Sequence, residues 1–91
     1  QRFMKLALRH GWGLQFVGGG ELVIDGKVPD FYDGNCKLIE LYGDYWHKGQ
    51  NPQQRISMFA QHGYKCLVIW EREFRDEKNI VKKVSRFLMK T

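Results

Sequence analysis

The chain has 91 residues, of which 43% are hydrophobic and 14% aromatic, enough for the core of one compact domain and hardly for two. Fifteen Lys and Arg residues against ten Asp and Glu give a formal net charge of +5, which favours polyanionic partners such as nucleic acid but equally suits a surface that only aids solubility. No apolar run approaches the roughly 18 residues of a membrane span, so we expect a soluble protein without a membrane partner.

A helix and a first hairpin are predicted at the start of the chain. Apolar residues recur at helical spacing from Arg2 to His10, and Gly11 follows as a stop signal. Gly13 to Val17 favours a short strand, and a triple glycine turns the chain into the alternating segment from Glu21 to Asp25. The glycines lack the Lys-Ser/Thr ending and the following helix of a phosphate-binding loop, so a plain turn is predicted.

A second hairpin carries the candidate site. The stretch from Pro29 to His47 reads PDFYDGNCKLIELYGDYWH, and its Asp-Gly-Asn is a turn signal between strand-forming runs at Val28 to Tyr32 and Cys36 to Tyr42. Beyond the second run, a glycine lets the backbone turn sharply toward the histidine.

Strand alternation puts Asp30, Glu40 and Tyr42 on one face of this hairpin. A turn centred on its glycine would set Asp30 opposite Leu38 and diagonal to Glu40, with Cβ atoms about 7 to 8 Å apart or less. One divalent ion can bridge that gap, and Mg²⁺ prefers carboxylates, carbonyl oxygens and water. The pattern indicates metal-assisted hydrolysis of a phosphodiester, with His47 as general base because an imidazole titrates near neutral pH. Taken singly, Asp30 could cap a turn and Glu40 could pair with a lysine across the sheet.

The second half of the chain is predicted to form a helix, a strand and a helix. Asn51 is a helix N-cap with Pro52 at the first helical position, and the helix runs to about His62. Lys65 to Trp70 is the densest apolar run, and it favours a central buried strand parallel to the strand of Glu40. The last helix covers roughly Asp76 to Met89. Its basic residues form a solvated face or, as the less favoured alternative, a phosphate contact: Lys78, Lys82, Lys83, Arg86 and Lys90.

The two cysteines, Cys36 and Cys66, fall inside predicted strands without the close spacing of a zinc site or a CxxC motif. We expect buried thiols, no structural zinc, and a cytoplasmic location in a bacterial or phage host cell.

The order of these motifs resembles a known family. PDF, then a hairpin, then KLIELYGDYWH, a helix containing Arg55, and GYKCLVIWERE are similar to the very short patch repair (Vsr-like) endonucleases and to the catalytic domains of related homing endonucleases. The likeness covers roughly Gly11 to Glu73. It implies a restriction-endonuclease-like α/β fold of the PD-(D/E)xK type, a mixed sheet flanked by helices in the order αβββαβα. Residues 1–91 would form one catalytic domain, which we expect to be a fragment of a longer protein.

The resemblance also implies roles for individual residues. Asp30 matches the metal-binding aspartate of the PDF element, and His47 matches the histidine that helps to activate the attacking water. The backbone carbonyl of Leu41 would be a further metal ligand, while Glu40 and Asp44 match acidic positions of the homing relatives.

Two positions depart from the family pattern. Tyr42 stands where the repair enzymes carry a second histidine, and a family glutamate on the first helix would fall at or just before Gln1. Plausible phosphate contacts lie after the hairpin, at Lys48, Gln54 and Arg55, and Trp46 could pack at the rim or act on DNA by intercalation.

The sequence therefore predicts a DNA endonuclease that nicks or cuts both strands, with Mg²⁺ as cofactor and Mn²⁺ as a substitute. Double-stranded DNA is the expected partner, and target choice would come from an additional DNA-recognition domain or a homodimer. The alternatives are a non-catalytic DNA-binding module that retains the nuclease fold and a nuclease that acts on RNA.

Overall fold

A computed structural model describes residues 2–44 and 51–90, in which a four-stranded sheet lies between helices. The helices are α1 (Arg2–His10), α2 (Gln53–Gln61), α3 (Glu77–Met89) and a 3₁₀-helix (Glu71–Arg75), and the strands are β1 (Gln15–Phe16), β2 (Phe31–Tyr32), β3 (Lys37–Tyr42) and β4 (Lys65–Trp70). Three strands thus precede α2 and one follows it. None of the described helices has the length and apolarity needed to cross a bilayer.

The sheet is mixed, with the strand order β1-β2-β3-β4. The first three strands pair antiparallel, and β3 pairs with β4 in parallel from Lys37–Lys65 to Tyr42–Trp70. This parallel pairing confirms the prediction, which followed from the helix that separates the two strands in the chain. The central position predicted for β4 is wrong, since β4 is the last strand in this order. Its apolar run arises because helices cover both of its faces: Leu67 packs in the cluster of α1 and α3, and Cys66 packs in the cluster of α2.

The β2–β3 hairpin has a different register from the one predicted. Phe31 pairs with Ile39 and Tyr32 with Leu38, so Asp30 is in line with Glu40 rather than diagonal to it. The reason is the turn, which is centred on Asn35 and not on Gly34, so the pairing shifts by two residues. The Asp33 carboxylate closes this turn by accepting bonds from the N–H groups of residues 35 and 37 at 2.8 and 3.0 Å. Cys36 consequently lies in this turn and not in a strand.

The strand expected from Glu21 to Asp25 does not form. Ile24 makes one isolated bridge with Lys27, around Asp25 and Gly26, whose φ angles are +50° and +76°. Two successive positive φ angles make a tight primed turn. The buried Ile24 side chain therefore anchors a turn to the core, and Leu22 packs against the same cluster. The alternation of these two apolar residues reflects contacts of a turn and not a strand.

The core lies on both faces of the sheet. On one face α1 and α3 pack against β3 and β4, with Phe3, Ile39, Ile69, Ile80 and Val84 all fully buried. On the other face Phe59 of α2 packs against Leu38. The N-cap of α3 is Asp76, whose carboxylate accepts a bond from the N–H of residue 79. The N-cap of α2 is Pro52 and not the predicted Asn51, although the amide oxygen of Asn51 accepts a bond from the N–H of residue 53.

Candidate active site

Asp30 lies immediately before β2 and is held by backbone groups. Its carboxylate Oδ2 accepts a hydrogen bond of 2.8 Å from the N–H of Leu41, and its carbonyl accepts one of 2.8 Å from the N–H of Val17. A Cβ built on Gly18 would lie 3.5 Å from Asp30 Oδ1 and only 2.6 Å from the ring of Phe16. The distance to Asp30 is an ordinary van der Waals contact, so Gly18 makes room for the Phe16 ring beside the carboxylate, a role beyond the plain turn predicted for the triple glycine. A plain turn would show the same residue pattern, so nothing in the sequence could have separated the two.

Glu40 forms a buried ion pair with Arg55. The carboxylate is almost fully buried, and its two oxygens accept bonds of 2.6 and 2.8 Å from Nε and Nη2 of Arg55. The same Nη2 also donates to the carbonyl of Val28 at 3.0 Å, and the guanidinium lies 5.5 Å from the centroid of the Phe59 ring. The predicted metal ligand and the predicted phosphate contact are therefore bonded to each other. A cation at Glu40 would have to share an oxygen with Arg55.

Tyr42 follows Glu40 on the same face of β3. Its side chain is only 6% exposed and packs edge-on against Trp70, with ring centroids 5.1 Å apart. Burial and, next, the nearby Glu40 charge raise the pKa of the Tyr42 phenol, so the protonated form is stable at neutral pH. Tyr42 can donate a hydrogen bond at this site, but it is a poor acceptor for a proton from water.

Asp44 lies beyond the end of β3 and is tied to the 3₁₀-helix. Its carboxylate accepts a bond of 2.9 Å from Nη1 of Arg72, and both side chains are at the surface. A cleft of about 290 Å³ lies at the same end of the sheet, lined by Leu41, Tyr42, Gly43, Ile69, Glu71 and Phe74 together with Arg2 of α1. The start of α1 is thus brought to the end of β3. The resemblance placed a family glutamate beside this position, at or before Gln1, which lies outside the described residues.

The remaining predicted site residues are placed only in part. Gln54 is exposed on α2, on a shallow polar surface with Gln53 and Ser57. Trp46, His47 and Lys48 lie outside the described residues, so their roles stay predictions, as does the ligand role of the Leu41 carbonyl. Within residues 2–44 and 51–90, no three His, Cys, Asp or Glu side chains are grouped so that they could hold a metal ion.

The fold is shared with a nuclease domain of known structure. No family model and no curated protein matches the chain. Among solved structures, the catalytic domain of the homing endonuclease I-Bth0305I matches with a TM-score of 0.75 and 22% identity, over 94% of this chain and 88% of that one. This likeness confirms the predicted α/β fold with a mixed sheet between helices. It does not single out the very short patch repair family, so that assignment stays a prediction.

Proposed function

We propose that this chain is a nuclease domain that hydrolyses phosphodiester bonds in DNA with the help of a divalent cation. The observation that carries the proposal is the position of Asp30, an aspartate oriented by a backbone N–H at one end of a sheet whose fold matches a homing endonuclease catalytic domain over 94% of the chain. The formal net charge of +5 supports a polyanionic substrate.

The donor groups at Asp30 suit Mg²⁺, which keeps several waters and is commonly bound by one or two carboxylates and the substrate phosphate. Asp30 and the carbonyl of Leu41 would hold the ion, with Mn²⁺ as a substitute. When bound, the cation neutralises the charge that develops on the phosphate and lowers the pKa of a bound water. Glu40 would join only by sharing an oxygen with Arg55.

The protein's own residues would orient these groups. The N–H of Leu41 donates to one oxygen of Asp30 and so orients this carboxylate beside β3. Arg55 joins Glu40 to the carbonyl of Val28, two residues before Asp30, and so holds the entry to β2 against β3. We assign His47 as the base that takes a proton from the attacking water, and Asp44 and Tyr42 as polar groups at the edge of the site.

DNA contacts would come from the surface next to α2, where Gln54 is exposed. We also propose that Lys48 and Trp46 contact the substrate, and Arg55 would do so through the part of its side chain that Glu40 leaves exposed. A domain of this size reads few base pairs, so target choice would need a second DNA-binding region or a second copy.

Cleavage of supercoiled plasmid tests this proposal. We expect nicked or linear product with Mg²⁺ or Mn²⁺ and none with EDTA, because removal of the cation removes charge stabilisation worth several kcal/mol. DNA binding without product under every metal condition would contradict the proposal and favour the non-catalytic binding module. Preferential cleavage of an RNA of the same sequence would identify a ribonuclease instead.

A further inference from the structure

Four cationic side chains form a row along the exposed side of α3. They are spaced four residues apart and all are exposed: Lys78, Lys82 and Arg86 within the helix, and Lys90, its C-cap residue. Because an α-helix rises 1.5 Å per residue, neighbours are about 6 Å apart along the axis and the row is about 18 Å long. We call these four residues the α3 cationic row.

The charges of the row are not neutralised within the part of the chain that the structure describes, where no ion pair involves any of the four. Other basic residues do have acidic partners. Lys83 lies 2.8 Å from Glu73, and Arg2 forms an ion pair with Glu77, the acidic residue in the first turn of α3. Like charges four residues apart on a helix repel each other and destabilise it. The row therefore has an electrostatic reason to bind a polyanion.

A groove lies beside the row. It has a volume of about 370 Å³ and an apolar floor formed by Leu67 of β4 and Phe87 of α3, and three cations of the row line it. Asn79 adds a neutral polar group at the same surface. A concave surface with an apolar floor and a cationic rim suits the sugars and phosphates of a nucleic-acid backbone.

The row lies on the opposite side of the sheet from the candidate active site. Ile80 and Val84 of α3 pack in the same cluster as Ile39, whereas Glu40, the next residue of β3, faces α2. Asp30 is in line with Glu40 across the β2–β3 pairing. Since α3 and Glu40 lie on opposite faces of the sheet, DNA held at Asp30 and DNA held at the row are different segments.

We propose that the α3 cationic row is a second nucleic-acid-binding surface that holds the phosphate backbone of a DNA duplex apart from the active site. Duplex DNA carries about one negative charge per 1.7 Å of its axis when both strands are counted, so a row about 18 Å long spans a length of duplex with about ten phosphates. The inference rests on the proposed function in taking DNA as the polyanion. Because the row and Asp30 lie on opposite faces of the sheet, the row would strengthen DNA binding and would take no part in bond cleavage.

Salt-dependent DNA binding tests the inference. Lys82→Gln/Arg86→Gln/Lys90→Gln keeps good helix formers at each position, and circular dichroism checks that α3 is retained. Affinity for a labelled duplex of about 20 base pairs is measured by fluorescence anisotropy over a range of salt concentrations. We expect the slope of log affinity against log salt to fall by about 2 to 3, since each lost phosphate contact removes about 0.9.

The matched control is Lys5→Gln/Arg9→Gln/Lys27→Gln, which removes the same charge from exposed residues off the row. An equal fall in slope for both variants would overturn the inference, as would displacement of the duplex by poly-glutamate at equal charge concentration. The rate of plasmid cleavage at saturating protein should be unchanged in the row variant. If the parent protein binds DNA but cuts none, the proposed function fails while the comparison of slopes still decides the inference.

Discussion

Glu40 shows how one partner sets the chemistry that a carboxylate can perform. A guanidinium binds it in a bidentate manner inside the protein, so both of its oxygens already accept charge-assisted hydrogen bonds from Arg55. A buried ion pair of this kind contributes little net stability compared with apolar residues, but loss of one partner leaves an uncompensated charge. The pair therefore stabilises one specific arrangement of β3, α2 and the segment that leads to Asp30.

Breaking the pair from one side should destabilise the fold strongly. We expect Arg55→Met to lower the free energy of unfolding by about 3 kcal/mol, because Glu40 stays buried without its cation. The double variant Glu40→Leu/Arg55→Met should recover most of this loss, since no charge is then left behind. Urea unfolding measures both values.

Arg72→Met is the control, because the ion pair of Arg72 with Asp44 is exposed and such pairs contribute about 1 kcal/mol or less. If Arg55→Met costs no more than Arg72→Met, the Glu40–Arg55 pair does not hold the site together.

Sequence reasoning predicts one part of this site and misses another, for physical reasons. Strand alternation is local, so it correctly places Asp30, Glu40 and Tyr42 on one face of the hairpin. The bond between Glu40 and Arg55 joins a strand to a helix 15 residues later, and no spacing rule relates such positions. The partner of Glu40 therefore had to come from the structure.

At the scale of elements, a buried lysine connects β3 to the end of α3. Lys37 is 5% exposed, and its Nζ donates to the carbonyl oxygens of Leu88 and Lys90. The last carbonyls of a helix have no intrahelical donor, and they carry the negative end of the helix dipole. The Lys37 ammonium supplies these carbonyls with a donor and with a positive charge, and so it holds the end of α3 against the sheet.

We expect Lys37→Met to lower the free energy of unfolding by about 1 to 3 kcal/mol, because partly buried carbonyls at the end of α3 lose a charged donor. Lys27→Met, at an exposed lysine, should change it by less than about 0.5 kcal/mol. Denaturant titration of both variants makes the comparison. Equal changes in the free energy of unfolding for the two variants would show that the bonds of Lys37 to the end of α3 do not stabilise the fold.

Packing between β4 and α2 also sets the environment of the Cys66 thiol. Burial, and then the charge of Glu40, raise the pKa of Cys66 to about 12. Since the thiolate is the reactive form, the native thiol should be nearly unreactive at pH 8. A pKa raised in the folded state also means that the unfolded chain ionises first, so this stabilisation is present below about pH 8.5 and is lost as the pH rises through about 12.

A Cys36→Ser variant leaves Cys66 as the remaining thiol for this test. Alkylation at pH 8 should be on the order of a thousandfold slower in the native protein than in urea, in proportion to the thiolate fraction. Similar rates in the two states would contradict a buried, protonated Cys66.

For the whole molecule, the sheet separates two polar surfaces. Asp30 and Glu40 face α2, and the α3 cationic row lies behind the opposite face. The element types and most helix bounds follow from periodicity and caps, which are local. The position of β4 in the strand order does not follow from them, because a strand covered by helices is apolar whether or not another strand lies beside it. The register of the β2–β3 hairpin does not follow either, because it depends on the turn that the Asp33 side chain closes.

The central claim is that Asp30 supports cation-dependent cleavage of DNA, and one comparison tests it most directly. Plasmid cleavage by Asp30→Asn is measured against Asp25→Asn at equal DNA occupancy and fixed Mg²⁺. An asparagine side chain at position 30 can still accept the bond from the N–H of Leu41, and asparagine tolerates the positive φ of Asp25, so both variants should fold. We predict that Asp30→Asn cuts at least about a hundredfold more slowly, because several kcal/mol of charge stabilisation depend on the cation. Equal cleavage rates for the two variants would contradict the account.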